Sequence, residues 1–330
     1  MHITLLVAGA LLPAEFATAV CASLDTPRLK ERLSRAKSVE TTRPTSSALA
    51  DSGNAHLDWL AQELFSQPSP AATAPYALAE ISGQIPSGFV CHADPVHVQV
   101  ARDHLIVRGF DSDAPSMDEI AQLLDVANEL LSNAGGELFV AGDRCFFSSD
   151  RDWEIDTLPL AAVIGSSVTM PTGRDAQQWI RLHNEIQIAW HAHVVNQMRE
   201  SSGVRAINGL LLHGGGRWRP LPPIRFAQVQ CRPAECRGAA QAAAALGVPL
   251  GAEVVDRSLI VNDDLLLFNQ QQDWTGWVQA MNAIDRQLAA YDRDAVELVL
   301  TGATERTFQS RHSDRYKFWR RRTLAQAFSA

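Results

Sequence analysis

WIRLHNEIQIAWHAHVVNQMRESSGVRAINGLLLHGGGRW, residues 179–218, concentrates more groups able to hold an anion or a metal than any other part of the chain. It carries Asn184 and Glu185, an H-x-H at His191 and His193, Asn196 and Arg199, Asn208, His213 and three consecutive glycines. Residues 175–200 have the periodicity of one long helix. At 100° per residue Glu185, Ala192, Asn196 and Arg199 fall on one narrow arc, so a single edge can present an acid, an amide and a guanidinium. The plain alternative is a mostly buried helix whose polar groups are satisfied locally. His191 and His193 lie about 200° apart on an intact helix, so they can share a metal only where that helix is broken. Residues 210–212 then read as a short buried strand ending in a glycine turn. Gly214, Gly215 and Gly216 allow a backbone to approach a ligand closely, with N–H groups able to cradle an oxyanion; a merely flexible turn is the other reading. Neither the dinucleotide-binding nor the P-loop fingerprint is present.

Working outward, residues 3–8 form an apolar run expected as a buried first strand, and 13–33 as a helix. Residues 38–53 are a Ser/Thr-rich loop, and DSGNAHLDWLAQELF from Asp51 leads into a helix. SQPSPAATAP, residues 66–75, is a linker and a domain boundary by composition. Beyond it VHVQV at 96–100 and the run 104–107 are strands. Ser116 and Glu119 open a helix as a capping box, with Ile120, Leu123, Leu124, Ala127, Leu130 and Leu131 along one stripe. Residues 137–147 return as strand, so this block is an α+β domain with an antiparallel sheet. The C-terminal part alternates as an α/β half-domain: AAQAAAALGV a helix, SLIVND a strand, 274–291 a long helix and 296–301 a strand. Trp277, Met281, Ile284 and Leu288 recur at helical spacing as core. The terminal RHSDRYKFWRRR is basic and aromatic, readable as a solvated face or as an anion site.

Composition narrows the function classes. The chain has 330 residues, 46% of them apolar and 20% charged, which suits a globular protein of two domains. A net charge of −8 argues against a general nucleic-acid binder, and the RRR run at 320–322 is too short to reverse that. Five scattered cysteines fit a reducing compartment, and the C-x4-C at Cys231 and Cys236 lacks a second ligand pair for zinc. The first apolar run has no basic flank and meets Pro13 and Glu15 early, so the reading expects no membrane span and a cytoplasmic protein.

The stretch HVVNQMRESSGVRAINGLLLHGGG resembles a signature of archaeal-type cofactor-independent phosphoglycerate mutases. There, His-Pro-Val-Asn, an Arg, a Gly, an Ala-Asn pair and an apolar strand ending in Gly-x-Gly follow in order. His193, Asn196, Arg199, Gly203, Asn208, Gly214 and Gly216 stand at matching positions, with Val194 in place of the proline. MPTGRDAQQWIRLHNEIQ upstream is similar to the family's Leu-Pro-x-Gly and following helix. The nearer resemblance is to a bacterial family of RpfE-type regulatory proteins, also described as phosphoglycerate mutase-like, and it spans nearly the whole chain. It implies an α/β fold of the alkaline phosphatase superfamily. The core would have a shortened first half at 1–75, an inserted α+β domain at 76–175, and a connecting helix with the second half at 176–330.

The resemblance also implies a ligand set against which this chain can be compared. Active members hold two divalent metals at strand ends and pass phosphate through a phosphoserine; two ions about 4 Å apart stabilise the attacking and leaving oxygens. Where the first strand should end in Asp-Gly, this chain has Ala8-Gly9. Where a late strand should end in Asp-His, it has Gly302-Ala303. The expected Asp-x-x-x-His group is not recognisable around DDLLLFNQQQDW, although Asp263, Asp264 and Asp273 are nearby. Ser52 is the candidate nucleophile. The expectation is therefore a pseudoenzyme that takes no metal and binds a small phosphorylated or carboxylated anion, or acts in regulation. Its ligand residues would be Glu185, His193, Asn196, Arg199, Asn208, His213 and the Gly214, Gly215, Gly216 run. The alternative is an active phosphomutase or phosphatase holding two divalent ions such as manganese. It would recruit His191, His193, His213 or His312 with Asp263, Asp264 or Glu185. A third expectation is a protein partner docking on Trp153, Trp218, Trp274 or Trp319.

Overall fold

The first strand ends in a turn that only glycine can make. In the computed structural model, which describes residues 1–39, 54–101, 105–110, 113–164, 170–243 and 254–330, Gly9 sits at φ +77°. The chain divides into two units, one of residues 1–69, 221–232 and 243–330 and a second of 70–220 and 233–242. In chain order the first unit starts with β1 (His2–Val7), α1 (Ala14–Cys21), α2 (Pro27–Arg35), β2 (Lys37–Val39) and α3 (Ala55–Glu63). The second unit then runs through α4 (Ala74–Ser82), β3 (Phe89–Val100), β4 (Leu105–Arg108), α5 (Met117–Leu131), β5 (Gly136–Ala141) and β6 (Arg144–Ser149). It continues with α6 (Leu160–Val163), α7 (Ala176–His191), α8 (Val194–Ser201) and β7 (Gly209–Arg217). The chain returns through β8 (Gln228–Gln230), places α9 (Ala234–Ala242) in the second unit, and finishes the first. The closing elements are β9 (Ser258–Asn262), α10 (Leu266–Gln271), α11 (Trp274–Gln287), β10 (Ala295–Thr301), β11 (Glu305–Ser310) and α12 (Leu324–Phe328).

The first unit is a mixed sheet in the order β2-β11-β10-β1-β9-β8. Its strands β10, β1, β9 and β8 are parallel, and β11 runs antiparallel to both its neighbours, β10 and β2. The apolar run of β1 is buried between two parallel neighbours, which is why it does not alternate. Trp277, Met281, Ile284 and Leu288 are each at most 1% exposed and pack with Leu5, Val7, Leu298 and Phe308, as their spacing predicts. Residues 13–33 are two helices rather than one, because Pro27 opens α2 at its first turn after Thr26.

The second unit is an antiparallel sheet, β4-β3-β6-β5 with β7 also pairing β3. The capping box at Ser116 is present: the Ser116 side chain accepts from the Glu119 N–H, and Glu119 accepts from the Ser116 N–H at 2.7 Å. Residues 176–220, expected as connecting helix and second core half, pack with the second unit, since Trp179, Ile186, Trp190 and Val195 share its core with Leu123, Leu210 and Leu212. The range 175–200 is not the one helix expected. The backbone breaks at His193, whose φ −77° and ψ 143° are extended.

Gly9→Ala tests the first turn. A Cβ there would lie 2.7 Å from the Leu266 backbone, on top of the strain of positive φ, whereas Gly203, at φ +72°, has open space around it. The expected outcome in urea unfolding is a loss of about 2–4 kcal/mol for Gly9→Ala and only about 1 kcal/mol for Gly203→Ala.

Candidate functional site

The break at His193 governs what residues 179–218 can do. Asn196, Arg199 and Glu185 no longer share one helical face, because α8 starts anew with His193 as its N-cap, the imidazole accepting from the Val195 N–H. Asn196, 1% exposed, donates to the carbonyls of Trp190 and Ile207 at 2.8 Å each and accepts from the Ile207 N–H at 2.7 Å. Arg199 donates to the Arg205 and Asp113 carbonyls and pairs with Glu119 at 3.1 Å. Asn208 bridges to β3, accepting from the Val98 N–H and donating to its carbonyl. Glu185 stands exposed on α7, as does His191. In the anion cradle expected of Asn196, Arg199 and Asn208, these side chains donate to backbone carbonyls and to Glu119, as burial of such groups requires. Past the break the His193 imidazole caps α8, while His191 stands exposed at the end of α7. Among the described residues no group of three or more His, Cys, Asp or Glu could hold a metal.

The three glycines are strand, not turn. In β7 two residues, Gly214 and Gly215, stand opposite Cys91 where the pairing with β3 shifts register, and Gly214 takes φ +61°, the geometry of a bulge. A Cβ on Gly214 would meet the Thr73 hydroxyl at 2.2 Å, one on Gly215 the Phe89 ring at 2.6 Å, and one on Gly216 Ala72 at 2.5 Å. Their bareness lets neighbours close in rather than admitting a ligand. His213 is held beside them, its Nε2 2.8 Å from Asp94 Oδ2 and its ring stacked on His92 at 4.7 Å. Burial drives His92 well below its ordinary value, aided by His213, so it is neutral. Asp94 is held below the usual carboxylate range: burial opposes this, but His213 overcomes it. The Cys91 thiol beside them is pushed far up by burial and donates to the His213 carbonyl, so it is no nucleophile.

In the first unit the carboxyl ends of β8, β9, β1 and β10 form the edge where open parallel sheets bind ligands. After β1, Ala8 and Ala10 are at most 1% exposed, and the Gly9 carbonyl accepts from Trp277 Nε1 at 2.9 Å and Asn269 Nδ2 at 2.8 Å. After β10, a Cβ on Gly302 would lie 2.7 Å from the Leu11 carbonyl oxygen, and the Gly302 carbonyl accepts from the Ala55 N–H. Both places where the resemblance expects metal-binding carboxylates are closed, apolar backbone contacts. The acids that remain, Asp263 and Asp264 after β9, face a resident cation. Arg232 after β8 donates from Nε to Asp263 at 3.0 Å and from Nη2 to both carboxylates, reaching Asp264 at 2.6 Å. Asn262 orients Asp264 through two further bonds, at 2.9 and 3.2 Å. These acids raise Arg232 above its ordinary value. His56 on α3 is buried and lowered to about 4 by burial, Asp263 opposing the shift, so it is neutral. Among the described residues, those at this edge do not fit a pair of divalent ions. Ser52 lies outside the described residues, and His312, exposed, bonds the Asp292 carbonyl.

Arg232, Asn262 and His56 were not among the residues singled out from sequence. The signal for Arg232 and Asn262 was position alone, at or immediately beyond the ends of β8 and β9, and it could be read only with the strand order known. Of the four tryptophans considered as partner contacts, Trp153 is buried at 4%, Trp218 and Trp274 are half-buried, and Trp319 is 67% exposed.

Two outcomes follow from the second unit. Arg199→Lys leaves the Arg205 and Asp113 carbonyls short of donors, so urea unfolding should show a loss of about 2–4 kcal/mol, against less than about 0.5 kcal/mol for Glu185→Ala. His183 accepts from the Leu210 N–H and is lowered to about 4 by burial, so it folds neutral. Between its unfolded value near 6.5 and about 4 only the unfolded chain takes the proton; stability is full above that window and falls through it with acid, by on the order of 2–3 kcal/mol. His183→Gln should flatten that part of the stability–pH curve.

No helix among the described residues is long and apolar enough to cross a membrane. No family model matches the chain, and no curated protein matches it. Among solved structures, a cofactor-independent phosphoglycerate mutase from Thermoplasma acidophilum, 12% identical, aligns over 100% of this chain and 95% of its own with a TM-score of 0.43. The PH0037 protein from Pyrococcus horikoshii, 11% identical, aligns over 99% of this chain and 92% of its own with a TM-score of 0.52. At that identity the likeness is one of fold, and the chain shares the mixed α/β architecture of the Pyrococcus protein.

Proposed function

We infer that this chain is a catalytically degenerate phosphoglycerate-mutase-like protein of the RpfE-type kind, whose surviving work is binding a small anion or regulation rather than turnover. The observation that carries the reading is the closed edge of the parallel sheet. Ala8 and Gly302 occupy the positions of expected ligands, and Arg232 bridges the two carboxylates that remain. A two-metal phosphoryl transfer needs several anionic or imidazole donors converging on each ion. Here one guanidinium satisfies the acids instead, and a cation already in place leaves little for a metal to gain.

Protein purified without chelator is expected to carry no stoichiometric manganese, zinc or iron by mass spectrometry, and to show no 3-phosphoglycerate isomerisation when manganese is added. Stoichiometric metal together with turnover that Ser52→Ala abolishes would overturn the reading in favour of an active phosphomutase. Arg232→Ala offers a complementary check. Freed of its guanidinium, the Asp263–Asp264 pair should let millimolar manganese raise the melting temperature of the variant, while the parent protein is unmoved.

A further inference from the structure

Several arginines of this protein face a carboxylate: Arg199 faces Glu119, Arg205 faces Asp113, Arg225 faces Glu63 and Glu297, and Arg232 faces its two aspartates. Arg35, Arg320, Arg321 and Arg322, all in the first unit, are held differently: among the described residues they make no ion pair and are tethered to backbone carbonyls, the carboxylate that Arg320 feels at longer range being Asp314, itself paired with Lys317. Arg320 donates to the carbonyl of Arg35 at 3.2 Å, Arg322 to that of Leu33 at 3.1 Å, Arg321 to that of Phe318 at 3.4 Å, and Arg35 to that of Arg315. Carbonyl tethers hold a guanidinium in place without neutralising it. Burial, and then the neighbouring Arg306 and Arg320, push Arg322 below its ordinary value.

These side chains line two clefts of about 450 and 300 Å³ that share Ser34, Arg320, Arg321 and Arg322. Lys37 extends the first, and Arg35 with the ring of Phe318 the second. No carboxylate is among the described lining residues of either. Phe318 is 71% exposed and braced edge-on by Trp319, centroids 5.4 Å apart at 80°, so the pair holds a ring outward at the rim. Guanidinium forks suit phosphate oxygens, and an exposed ring suits a flat aromatic group. The geometry points to a binding site for a free nucleotide, its phosphates held by Arg320, Arg321 and Arg35 and its base stacked on Phe318. Concave clefts of this size fit a small ligand better than a lipid surface. The net charge of −8 works against a long polyanion lying across the rest of the protein, but little against a single nucleotide.

This deepens the binding half of the proposed function and rests on it. Calorimetry in EDTA keeps the test separate from metal content and turnover. The probes are ATP, inorganic tripolyphosphate, a short single-stranded oligoribonucleotide, and vesicles of equal parts phosphatidylserine and phosphatidylcholine. ATP is expected to bind about tenfold more tightly than tripolyphosphate, the stacking contribution of one base. Phe318→Ala should bring ATP down to the tripolyphosphate level and leave tripolyphosphate unchanged. The double variant Arg320→Gln, Arg321→Gln should weaken both by at least about tenfold, its melting temperature serving as the check on folding. Absence of ATP binding overturns the site. Equal binding of ATP and tripolyphosphate, with Phe318→Ala silent, overturns the nucleotide assignment. Oligoribonucleotide or vesicles bound in preference to ATP replace it with a nucleic-acid or membrane surface.

Discussion

The carbonyl of Gly9 is the point on which the first unit depends. It accepts from Trp277 on α11 and Asn269 on α10, while Ala8 N–H reaches the Asn262 carbonyl of β9 and Leu11 N–H the Thr301 carbonyl of β10. Four elements are thereby tied to one turn, and each bond satisfies a polar group that burial would otherwise leave unpaired. The arrangement requires positive φ at Gly9 and bare neighbours, because Leu266 backbone lies against it and Leu11 lies against Gly302. The turn is closed tightly at Gly9 and Gly302, where an added Cβ would meet backbone 2.7 Å away.

The second unit follows a comparable rule with side-chain amides. Asn196 links the end of α7 to the segment leading into β7, and Asn208 clamps that segment to β3. Arg199 gathers the Arg205 and Asp113 carbonyls and reaches Glu119, the residue that also closes the cap of α5. Polar residues that read as a binding set are the fasteners of a segment without regular structure, where backbone groups find no ladder partners. Phe110 lies beneath both Arg199 and Arg205, adding cation–π contact to the same knot.

How charge is answered separates structural from available residues in this protein. The buried guanidinium of Arg199 has both an acid and carbonyls as partners. Arg232 is exposed but matched by two aspartates, which removes those aspartates as donors for anything else. Among the described residues the arginines around Phe318 make no ion pair and donate to carbonyls, in a chain whose overall balance is negative.

Much of the architecture was legible in the residues. The unbroken apolar run of β1, the stripe through Trp277, Met281, Ile284 and Leu288, the capping box at Ser116 and the Pro-rich linker at 66–75 each report a local rule, period, cap or breaker, that tertiary contacts did not overrule. The unit junction after residue 69 falls inside that linker. What the residues could not carry was partnership. Asn196, Arg199 and Asn208 look the same in sequence whether they face a ligand or a carbonyl, and only the fold decides, because their partners come from segments as distant as Val98 and Asp113. The glycine run likewise reads as a turn until β7 is seen to bulge against β3 with Thr73 and Phe89 pressed against it. Arg232 acquires meaning only when the parallel order brings the ends of β8 and β9 together. By itself the sequence determined the periodicities, the breakers and the apolar residues at positions 8 and 302. The tertiary structure decided which polar groups are spent and which remain free, since hydrogen-bond satisfaction depends on neighbours far apart in the chain.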